Sequence, residues 1–106
     1  MTQGQIDTLR QFFGAYFHQD WDLDESGPDG VIDRFINDSA DSGKLNSLAS
    51  LIDAFQDTYS DEAELEYALH ADLWCEFDPR GEGMSTRSWL RHVSMRLREA
   101  TSDVRS

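Results

Sequence analysis

The chain is predicted to be all-α, a compact single-domain bundle of about five helices. Apolar residues recur at helical spacing in five separate stretches. No stretch sustains the period-two alternation of a half-buried strand. Glycine, proline and small polar residues fall between the stretches, where the chain must turn. At 106 residues there is material for one core, so one domain is expected over residues 1–106, with its tail from Thr101 frayed.

The elements follow in order. Ile6, Leu9, Phe13, Tyr16 and Phe17 share one helical face, which Phe12 widens; this helix is expected to end near His18–Trp21. From Asp20 to Gly30 the chain is acidic, and Gly27-Pro28-Asp29-Gly30 reads as a loop. Val31, Ile32, Phe35 and Ile36 fit a short second helix, followed by a polar loop over Asn37–Gly43. Leu45, Leu48, Leu51, Ile52 and Phe55 form the third, and Thr58-Tyr59-Ser60 interrupts it. Ser60 is the expected N-cap of the fourth helix, with Asp61, Glu62 and Glu64 favoured by its dipole. Leu65, Ala68 and Leu69 face inward there; Leu73–Phe77 is either its last turn or a short extended piece. Asp78–Gly83 breaks the chain. Ser85 or Thr86 then caps a fifth helix, with Trp89, Leu90, Val93 and Leu97 on one face and Arg87, Arg91, Arg96 and Arg98 on the rest. Trp74 and Trp89 both fall in apolar patterns and are assigned to the core.

The net charge of −12 is uneven. Residues 1–79 carry Arg10, Arg34 and Lys44 against 18 acidic residues, a net of −15, whereas residues 80–106 carry +3. This balance disfavours direct nucleic-acid binding and anionic membranes, and it steers toward basic partners. No apolar run approaches the ~18 residues of a membrane span. The first residues lack the pattern of a signal peptide, so a cytoplasmic protein is expected. Cys75 stands alone, which excludes an intrachain disulfide, and its apolar neighbours imply a buried, inert thiol.

The run Tyr16-Phe17-His18-Gln19-Asp20-Trp21 is the natural place to look for chemistry. A calcium loop starting at Asp20 would need glycine at position 6 and glutamate at position 12. Glu25 and Val31 stand there instead. Zinc needs three or four ligands, but His70 and His92 lie on other helices and no paired His or Cys motif exists. No nucleophile motif is present. These counts favour a structural corner, in which His18 meets free helix carbonyls and Trp21 folds back on the core. No catalytic residue, cofactor or metal is therefore expected. A small metal-dependent hydrolase using His18, Asp20, Asp22 and Asp24 is the alternative.

The Phe13–Trp21 run resembles the N-terminal signature of the CdiI-type immunity proteins of bacterial contact-dependent growth inhibition systems. Val31–Ile36, Leu45–Phe55, Ser60–Leu65, Phe77-Asp78-Pro79, Gly83 and Ser88-Trp89-Leu90 are similar to later family elements in order and spacing. The resemblance implies a small, non-enzymatic cytoplasmic protein that neutralises the toxin domain of a delivered effector. Such toxins are often nucleases, and an acidic surface suits a phosphate-binding groove. A motif common to proteins that face different toxins is more naturally fold-forming than toxin-contacting. Contact is accordingly expected elsewhere: Asp22, Asp24, Glu25 and Asp29 in the first loop, and Asp57, Asp61, Glu62, Glu64 and Glu66 around the fourth helix. An acidic DNA mimic or adaptor for another basic protein is a further alternative.

Overall fold

The computed structural model describes residues 2–17, 27–39 and 41–105. Five α-helices occur among them: α1 (Gln3–Tyr16), α2 (Pro28–Ser39), α3 (Ser42–Thr58), α4 (Glu62–Ala71) and α5 (Thr86–Arg105). A 3-10 turn, η1 (Pro79–Glu82), precedes α5, and no strand occurs among the described residues. The all-α bundle is as expected.

Each helix start is chemically specified. Thr2 and Gln5 form a reciprocal capping box on α1, with Gln5 N–H donating to Thr2 Oγ1 and Thr2 N–H to Gln5 Oε1. Asp41 accepts from Gly43 and Lys44 N–H at the start of α3. Ser85, not Thr86, caps α5 by accepting from Ser88 N–H.

Several boundaries depart from the expectation. Helix α1 ends at Tyr16 with Phe17 as its C-cap, before His18–Trp21. Gly27–Gly30 is not a loop. The Gly27 carbonyl accepts from Val31 N–H, and Pro28 opens α2, because the first turn of a helix does not need the N–H that proline lacks. Asn37, Asp38 and Ser39 extend α2 instead of joining a loop. The N-cap of α4 is Asp61, one residue after Ser60, since it is the Asp61 carboxylate that reaches Ala63 N–H. Residues 74–78 are non-helical.

The core is one aromatic-rich cluster. Trp89 of α5 lies among Phe13, Phe17 and Phe77, with ring centroids 5.9, 5.2 and 4.8 Å away. Phe12 stacks edge-on against Phe35 of α2 at 4.7 Å. Helices α3 and α5 pack along much of their lengths through Leu45, Leu48, Ala49, Ile52 and Phe55 on one side and Leu90, Val93 and Leu97 on the other, all buried.

Polar groups lock the top of this pair. Arg87 donates through Nη1 to Gln56 O, which also accepts from Tyr59 N–H, and through Nη2 to Tyr59 O just past the end of α3. Glu62, in the first turn of α4, accepts from Arg87 N–H at 3.0 Å. One arginine thus joins three helices. Arg87→Ala should lower unfolding stability by about 2 kcal/mol, chiefly by removing two charge-assisted hydrogen bonds and taking this donor from the Tyr59 carbonyl. Glu62→Gln should cost roughly 1 kcal/mol or less, because its ion pair is partly exposed. Urea titration of both variants checks the order, and equal losses would contradict it.

Candidate functional site

The sequence named three groups of candidate residues, and the structure sorts them. His18, Gln19, Asp20 and Trp21 of the corner, and Asp22, Asp24 and Glu25 of the first loop, lie outside the described residues. The four residues of the hydrolase alternative are among them. No group of three or more His, Cys, Asp or Glu side chains able to hold a metal gathers among the described residues.

The two described corner residues are fixed in the fold. Phe17 is fully buried, and its carbonyl accepts from Glu76 N–H at 2.8 Å, which ties the end of α1 to the segment before η1. The Tyr16 hydroxyl donates to Asp38 Oδ2 at 3.0 Å, and its ring meets Phe35 edge-on. Partial burial and the nearby Asp38 carboxylate both raise the Tyr16 pKa above its usual value.

Three candidate carboxylates are engaged within the bundle. Asp29 lies 2.8 Å from His92 Nε2 and near Arg96. Glu62 holds Arg87, and Glu66 pairs with Arg80 at 3.1 Å. Asp33 with Arg96 and Asp53 with Arg98 extend the same pattern along α5. The basic helix is therefore largely occupied by acidic partners from α2, α3 and α4.

The other three candidates face water. Asp61 is exposed and caps α4, while Asp57 and Glu64 are exposed without an ion pair among the described residues. Glu64 borders a shallow groove with Tyr59, Ala63, Tyr67, Ala68 and Asp72. Tyr67 is 72% exposed and was not singled out in the sequence; its place on the outer face of α4, between inward Leu65 and Ala68, could have revealed it.

Trp74 corrects an expectation. Trp89 is core, but Trp74 is 57% exposed. It follows the end of α4 in a left-handed conformation, φ 59°, rare for a bulky residue. Around it burial alternates, with Leu73, Cys75 and Phe77 buried and Trp74 and Glu76 exposed. Gly14 lets this segment lie against α1: a methyl group there would reach Leu73 O and Trp74 Cβ at 3.4 Å.

Cys75 is buried as expected, and burial pushes its thiol up to about 12. The unfolded thiol ionises near 9.0. Its contribution to stability is therefore complete below that value and is lost as pH rises toward 12. At pH 8 the folded protein should resist alkylation by iodoacetamide, with labelling appearing only at denaturant concentrations that unfold it. Rapid labelling of the folded protein would contradict this placement.

A family model described as CdiI immunity protein matches residues 5–97. No curated protein and no solved structure shows a match to the chain.

Proposed function

The chain belongs to the CdiI immunity protein family, and from that premise we propose that it binds and neutralises the C-terminal toxin domain of a contact-dependent growth inhibition effector. The family match over residues 5–97 is the observation that carries this reading. We propose further that the toxin is a nuclease, that the immunity protein acts as a cytoplasmic inhibitor without catalysis of its own, and that it blocks the toxin by steric and electrostatic means. A nuclease must hold phosphates in a basic groove, and carboxylates at −12 net charge are suited to cover one. Opposite charge also speeds encounter, an advantage against a toxin already delivered.

Among the named contact candidates, Asp57, Asp61 and Glu64 are the described ones that ion pairs leave open to a partner. Co-expression with the toxin domain encoded beside its gene should restore growth, and the two proteins should co-purify. Failure of both would overturn the function. Neutralising Asp57 and Glu64 together (Asp57→Asn, Glu64→Gln) should slow association roughly threefold to tenfold at low salt, with an unchanged melting temperature. An association rate that ignores both salt and these substitutions would remove the electrostatic part of the reading.

A further inference from the structure

We infer that Trp74 and Tyr67 are the aromatic anchors of one docking surface, and that its occupant is the basic cognate toxin domain. This inference rests on the function proposed above and deepens it by placing the contact.

The two rings belong to a continuous stretch of surface. Tyr67 and Asp72 line the groove on the outer side of α4. The Asp72 carbonyl accepts from Arg10 Nε at 2.6 Å, and the Arg10 guanidinium lies 4.5 Å from the Trp74 ring centre. A second shallow groove continues past Trp74 along Gln11, Gly14 and Ala15 of α1. Asp72 and Arg10 therefore connect one ring to the other.

These rings are also costly to leave in water. Tyr67 and Trp74 are two of the three large hydrophobic side chains that the described residues expose, the third being Met95 at 51% on α5. Trp74 is held outward by its left-handed backbone, and Arg10 supports its ring through a cation–π contact. Orientation is thus set before any partner arrives, which reduces the ordering cost of binding. Exposed tryptophan and tyrosine are the residue types that dominate binding energy at protein interfaces.

Charge selects the occupant. Asp7, Glu64 and Asp72 line the two grooves beside the rings, exposed Glu76 follows Trp74 by two residues, and the one cation lining those grooves, Arg10, is engaged by Asp7 and by the Asp72 carbonyl. An aromatic patch with a carboxylate rim fits a basic protein surface and repels a second copy of this acidic chain.

The test uses the full chain and the inactivated toxin domain encoded beside its gene, with affinity read by calorimetry. Tyr67→Ala and Trp74→Asn should each weaken binding roughly tenfold or more, and Met95→Ala should leave it unchanged. Asparagine tolerates the left-handed backbone, and Tyr67→Ala on an exposed helix face gives an independent reading should Trp74→Asn lower the melting temperature. Toxin binding by the unaltered chain that the double variant retains in full overturns the docking surface and leaves the family-based function standing. No binding by the unaltered chain overturns that function and this occupant together. A dimer of the unaltered chain that the double variant dissolves, with toxin affinity unchanged, assigns the surface to a second copy and also overturns the inference.

Discussion

The packing of α5 against the rest of the chain is the constraint on which this structure depends. Its apolar edge lies along α3, and Trp89 gathers rings from α1 and from the segment before η1. Its polar edges reach α2 through His92 and Arg96, α3 through Arg98, and α4 through Arg87. Dispersion and hydrophobic burial supply most of the stabilisation. The ion pairs, mostly half-exposed, add little each. Their larger effect is to relieve the repulsion of a chain that would otherwise fold eighteen carboxylates of its first 79 residues into one small surface.

That arrangement divides the acidic residues by role. Asp29, Asp33, Asp53, Glu62 and Glu66 face arginine or histidine within the bundle. Asp57, Glu64 and Glu76 meet only solvent among the described residues. Asp57 lies near the end of α3, Glu64 shares a groove with Tyr67, and Glu76 follows Trp74 by two residues. Acidic groups and exposed aromatic surface therefore meet at the grooves that hold Tyr67 and Trp74. A protein whose task is to meet another needs such a division, because carboxylates spent on the fold cannot be spent on a partner without loosening it.

Much of the fold was legible because its helices are amphipathic. The face carrying Leu9, Phe13 and Phe17, and that carrying Trp89, Leu90, Val93 and Leu97, are buried as the spacing implies. What escaped depends on backbone geometry or on distance along the chain. Pro28 looked like a loop residue because a helix opening and a turn share the same composition. Trp74 looked like core because Leu73, Cys75 and Phe77 are core. Only the left-handed backbone of Trp74, where the chain leaves α4, sends it outward while its neighbours stay buried. Asp29 and Glu62 looked free because their partners lie 63 and 25 residues away. The resemblance carried by Phe13–Trp21 pointed to the family that the match over residues 5–97 shows, while the two exposed rings, Tyr67 and Trp74, lie outside that run.

Hydrogen–deuterium exchange of the immunity protein, free and saturated with its toxin domain, tests this division most directly. The account requires new protection to concentrate in α4 and the segment through Trp74 and Glu76, with the slow exchange along α3 and α5 unchanged. New protection confined to the outer edge of α5 around Arg91 and Met95, with none near Tyr67 or Trp74, would contradict it.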